Sequence, residues 1–335
     1  MAGESEPRSL DPRRAGLYRI VFALAAGYNL GFGLWAALWP QAFFALFQMA
    51  APRYPAVWQC LGMVIGLYGL AYAYAARRLP LARPFIAIGL LGKILGPIGW
   101  LLTVQSGQWP LRTFTLIVFN DIIWWLPFSL FLLEGTRLGR RLRGAAPYVC
   151  AAVNGLAGLA LLLALRPGTE VTPDAAERAR YIGQNLAAWR GGWALWMAAA
   201  LSLVTFIAWW GARLPARGWA LTAFLVAVAG LGCDLLAESL YIGWLPAHLE
   251  QLQRPASLLT GGAANGLYTA AGILLTLTDR SLAGRLRALA WGVWLSGILL
   301  SATTVAAFVP GMVASGAALM TLFVPWSALM GWKRR

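Results

Sequence analysis

Apolar residues in this chain come in runs of about 20, separated by short stretches that hold most of its prolines and arginines. A run of that length is what an α-helix needs to cross roughly 30 Å of hydrocarbon. Ten such runs are predicted: Leu17–Pro40, Ala56–Ala76, Pro84–Val104, Thr113–Leu133, Pro147–Leu165, Gly192–Gly211, Gly218–Trp244, Leu259–Thr278, Ala288–Val309 and Met312–Trp332. The fold class that follows is all-α, a polytopic helical integral membrane protein. A different pattern appears once, between the fifth and sixth runs. Ala175, Ala179, Ile182, Leu186 and Trp189 recur at spacings of three and four, which predicts an amphipathic helix over about 171–190 lying along the membrane surface. Thr172 is its expected cap, with Pro173 in the first turn.

The basic residues orient the runs. With the N-terminus inside, the inner segments hold 19 of the 27 lysines and arginines and the outer segments 7, the remaining one being Lys93. This bias predicts cytoplasmic N- and C-termini and insertion in a plasma (inner) membrane. Residues 1–16 read as a cytoplasmic tail and 17–135 as a four-span unit. The arginine-rich 136–146 is the expected cytoplasmic linker, leading to a six-span unit over 147–335. Within the latter, "VNGLAGLALLL" resembles "ANGLYTAAGILL", and "WALWMAAALSL" resembles "WGVWLSGILLS". Runs five and eight point in opposite directions, so the likeness suggests a 3+3 inverted repeat, an arrangement common in transporters.

Composition narrows the chemistry. Residues are 60% hydrophobic and 12% charged, far below the charge content of soluble domains, and the net charge of +15 sits in topology-setting clusters rather than a nucleic-acid surface. The partner expected is the lipid bilayer, together with a small or lipophilic substrate; nucleic acid is not expected. His248 is the single histidine, which argues against histidine-ligated haem, di-iron and HExxH zinc sites. Cys60, Cys150 and Cys233 lie in or beside apolar runs without CxxC spacing, and no metal or cofactor is expected.

Ionisable groups inside apolar runs are the candidate functional residues. Lys93 sits mid-run in "GLLGKILGPIGW", and the next run carries Asn120 and Asp121. Their depths differ by roughly 5 Å at 1.5 Å per residue, within reach of a lysine, so a Lys93–Asp121 ion pair is expected. Asn29 and Gln59 are candidates to donate to the carboxylate, and Gly89, Gly92, Gly96 and Gly99 to let helices approach. Trp124 and Trp125 are candidate pocket aromatics. The second cluster, "CDLLAESLY", places Asp234 and Glu238 four apart on one helix face with Tyr241 beside it, and Asn265 at a depth from which it can face them. Two adjacent carboxylates in low dielectric resist double ionisation, which suits a proton relay or a general acid. Three functions accommodate these groups: a proton-coupled transporter, an acid-catalysing enzyme acting on a lipid or isoprenoid, and a non-catalytic binding or assembly subunit. Transport is the reading followed, with no catalytic residue assigned.

Overall fold

The computed structural model describes residues 12–333. Most of the 1–16 tail lies outside them, as do Arg8, Arg334 and Arg335. Among the described residues every regular element is helical, and ten helices are long and apolar enough to cross a membrane. They are α1 (Arg14–Leu38), α2 (Pro55–Arg77), α3 (Arg83–Gln105), α4 (Leu111–Leu132), α5 (Arg137–Gly168), α6 (Leu186–Gly211), α7 (Arg217–Gly243), α8 (Leu249–Thr278), α9 (Gly284–Val305) and α10 (Val309–Trp332). The protein is a multi-pass membrane protein, and its lipid-facing residues contact the bilayer. The chain divides into two compact units, residues 1–140 and 141–335.

Two expected local structures differ. The arginine-rich segment ahead of the fifth run is helical, because Arg137 opens the helix that continues into α5. Arg137, Arg140, Arg141 and Arg143 supply good helix formers, and Thr136 Oγ1 accepts from the Gly139 N–H at its start. The surface helix is shorter than expected, covering Ala175–Gln184. Its cap is Asp174, whose side chain accepts from the Ala176 N–H at 2.9 Å, and not Thr172. The chain breaks at Asn185, so Leu186 and Trp189 belong to α6.

In the first unit α1 and α2 pack backbone to backbone. A Cβ on Gly33 would lie 2.6 Å from the Gly62 carbonyl, so only glycine permits this approach. On α3, Gly89 accommodates the Tyr72 ring and Gly96 the Asp121 carboxyl, whereas Gly92 and Gly99 face no neighbour. Tyr18, Phe22, Tyr72, Trp124, Phe128 and Phe131 form the core. Glu134 fastens one end, accepting from Arg14 and Tyr18 through its carboxylate and from Arg83 through its carbonyl.

In the second unit two asparagines do matching work. Asn154 of α5 donates to the Ala199 carbonyl (3.4 Å) and Ser202 hydroxyl (3.2 Å) of α6. Asn265 of α8 donates to the Gly297 carbonyl (2.7 Å) and Ser301 hydroxyl (2.9 Å) of α9. Each amide thus ties the first helix of a triplet to the second, six residues beyond the first Trp of a WxxW pair. At one end, where the connecting helix lies, Trp189 and Tyr241 are buried together. At the other, the arginine end, Trp210 of α6 donates to Asp279, just past α8, at 2.7 Å.

Candidate functional site

The Lys93 site is built on two backbone irregularities. Pro97 has no N–H, so the carbonyl four residues earlier, that of Lys93, lacks its helical donor. Trp125 Nε1 fills the gap at 2.8 Å. Opposite, α4 widens into a π-helical turn over Val118–Ile122, a distortion that changes which carbonyls find backbone donors. Two carbonyls of that turn accept from side chains: Phe119 from Trp124 Nε1 at 2.9 Å, and Asn120 from Lys93 Nζ. The ammonium also lies 5.9 Å from the Tyr72 ring centre and 5.8 Å from that of Trp124, within cation–π range.

Several expectations for this cluster are corrected. Lys93 and Asp121 are both buried, yet no contact of ion-pair length joins them; the cation is held by a carbonyl and two rings instead. Asn29 donates to Ala25 of its own helix, and Gln59 to the Ala37 carbonyl, so neither serves the carboxylate. Asp121 Oδ1 accepts from Asn120, while Oδ2 has no hydrogen-bond partner. Trp124 and Trp125 complete this lattice of donors, and neither lines the cavity of the second unit.

The cavity lies in the second unit. It encloses about 700 Å³ and is lined by residues of α5, α6, α7, α8, α9 and α10. On α10 its wall runs from Val309 to Pro325, about 24 Å at the helical rise, most of a bilayer's hydrocarbon depth. Toward the arginine end it meets a packed aromatic cluster. Trp326 lies 5.5 Å from Trp210, 5.3 Å from Trp294 and 5.6 Å from Phe206, centre to centre. Toward the connector end the wall carries Arg166, Thr169 and Glu170.

Asp234 is on this wall. Its Oδ1 accepts from Thr260 at 2.5 Å and its Oδ2 from Tyr268 at 3.3 Å. Thr260 is delivered by another π-helical stretch, Leu258–Ala264, which also brings Gly261 against Thr304 of α9. Glu238, one turn along, is fully buried behind the wall with both carboxylate oxygens unpartnered. The nearby arginines do not neutralise it: Arg190 donates to the Ile242 carbonyl and Arg254 to those of Thr304 and Val305. Tyr241 stacks on Trp193 at 3.8 Å and 7°, and its hydroxyl meets Ser257 at 3.2 Å. Ser257 in turn donates to Glu170.

Asp234, Tyr241 and Asn265 therefore line one cavity and Glu238 backs it, but Asn265 turns its amide to α9 and not to the carboxylates. Glu170, Ser257, Thr260, Tyr268, Trp193 and Trp196 also belong to the site, and the hydropathy pattern did not single them out. Among the described residues no three His, Cys, Asp or Glu side chains converge. Comparison with protein-family models, with curated proteins and with solved structures finds no match to this chain.

Proposed function

We propose that the protein is a membrane carrier, moving a small or lipophilic substrate through its second unit with Asp234 and Glu238 as the proton-exchanging groups. The observation that carries this reading is one cavity about 700 Å³ in volume, running most of the membrane's depth past Asp234. A deep cavity sealed at one end by side chains has the form of one state of an alternating-access cycle. The Phe206, Trp210, Trp294 and Trp326 rings would be its gate. The paired Asn154 and Asn265 contacts support an inverted repeat of α5–α7 and α8–α10, the symmetry by which such a gate is exchanged between sides. The distribution of arginines supports placing the gate on the cytoplasmic side of an inner membrane, with both termini cytoplasmic.

The test needs no knowledge of the substrate. Ala200 lines the cavity, is buried, and lies mid-way along α6, so Ala200→Cys in a cysteine-free background reports which side reaches it. In oriented vesicles a membrane-impermeant maleimide should label it from either side. Asp234→Asn with Glu238→Gln should abolish the dependence of that labelling on a pH gradient. Labelling from one side alone under every condition would refute a carrier.

A further inference from the structure

Asp234 and Glu238 have no counter-ion among the described residues. Of the residues lining the cavity only Arg166, exposed at the connector end, is basic, whereas Asp234 sits deep on the wall and Glu238 directly behind it. Thr260 and Tyr268 donate to Asp234 but bring no charge. The other polar groups on the wall are the Glu170 carboxylate at the connector end, the Asn154 and Asn265 amides, which bond to α6 and α9, and indole, phenol and hydroxyl groups. Trp193 lies nine-tenths buried on the cavity wall, stacked on Tyr241, with its indole N–H unpartnered.

A negative group set among aromatic faces in an apolar cavity recognises one class of ligand. Ring faces attract a cation, the carboxylate neutralises it, and the apolar remainder shields its substituents. The dimensions and the surroundings agree. A volume of about 700 Å³ admits a drug-sized molecule. Leu159 and Leu162 of α5 and Val313 of α10 line the cavity and stand 53%, 61% and 43% exposed. Where α5 and α10 border it, the cavity is therefore lined by accessible apolar side chains, a surface suited to a ligand that partitions into lipid. An anionic ligand would meet Asp234 and Glu238 with no intramembrane cation to offset them.

We infer that the cavity takes a lipophilic organic cation, seated with its positive centre against Asp234 and beside Tyr268 and the stacked Trp193–Tyr241 pair. This names the substrate class of the carrier proposed above and rests on that reading, but its test is separable from it. Tetraphenylphosphonium and tetraphenylborate have nearly the same size and shape and opposite charge, so comparing them on the unmodified protein isolates charge from shape. Titrated against the purified full chain in detergent and followed calorimetrically, the phosphonium should bind saturably, at least tenfold more tightly than the borate. Asp234→Asn, which keeps the size of the side chain, should weaken the phosphonium tenfold or more and leave the borate unchanged. Equal affinities, tighter binding of the borate, or heat released by sodium ions alone would overturn the assignment, and the first comparison does so even if the variant does not fold. Uptake into proteoliposomes is measured separately with the same probe. Phosphonium binding without gradient-driven uptake refutes the carrier and keeps the cation site. Gradient-driven uptake of a neutral lipophilic dye that depends on Glu238, with no phosphonium binding, does the reverse.

Discussion

The indole of Trp125 and the ring of Pro97 should be energetically one feature. Proline at 97 leaves the Lys93 carbonyl without its helical N–H, inside a membrane span where water does not substitute. Trp125 donates to that carbonyl at 2.8 Å from the facing helix. Replacing Trp125 with Phe keeps most of the ring and removes the donor, leaving a desolvated acceptor at a cost of about 1–3 kcal/mol. The packing lost with the smaller ring adds to this but is common to any background. Pro97→Ala restores an N–H four residues after Lys93, so the helix satisfies its own carbonyl and the indole bond becomes redundant. The double-mutant cycle should therefore show a coupling of about 1–2 kcal/mol, with Trp125→Phe costing markedly less in the Pro97→Ala background than in the unmodified chain. The measurement is equilibrium unfolding in mixed micelles followed by far-ultraviolet circular dichroism on the four proteins. If Trp125→Phe costs the same in both backgrounds, the indole is not the carbonyl's surrogate donor and this account of the Lys93 site fails.

Two further outcomes follow from the geometry. Lys93→Met removes a charged hydrogen bond of about 1.5–3 kcal/mol and two cation–π contacts of about 0.5–2 each, against about 2.5–3.5 recovered by taking a cation out of a membrane span. A net loss of about 2 kcal/mol is expected in the same unfolding assay, and a loss of about 5, at the top of the range for a broken buried ion pair, would reinstate Asp121 as its contact partner. At Gly272 an added Cβ would fall 2.3 Å from the Trp294 ring, which is tethered to Thr276 at 2.8 Å and cannot swing aside without losing that bond. Gly272→Ala should lower stability by about 1–3 kcal/mol and depress the Tm, whereas Gly92→Ala, with no atom near its Cβ, should be neutral or slightly stabilising; equal effects would refute this packing.

The ten spans were legible in the chain because crossing a membrane is decided locally: each helix must satisfy its own backbone and present apolar side chains, whatever its neighbours do. Buried ionisable groups were legible for the same reason, since Lys93, Asp121, Asp234 and Glu238 stand out against apolar surroundings. What each of them touches was not. Lys93 finds a carbonyl and two rings instead of the carboxylate, because a π-helical turn re-aims the backbone of α4, and no residue pattern announces such a turn. Asn29 turns back to a carbonyl of its own helix and Asn265 to a helix chosen by tertiary packing, because an amide serves a backbone carbonyl as well as a carboxylate. The cavity is the clearest case. Glu170 sits in a connector, Ser257, Thr260 and Tyr268 on one side of α8, and Trp193 at the head of α6. None is unusual in its own segment, and they become a site only where helices distant in sequence close around a space. Composition and periodicity specify which segments enter the bilayer; the void beside Asp234, and which side chains border it, are set by how those helices pack.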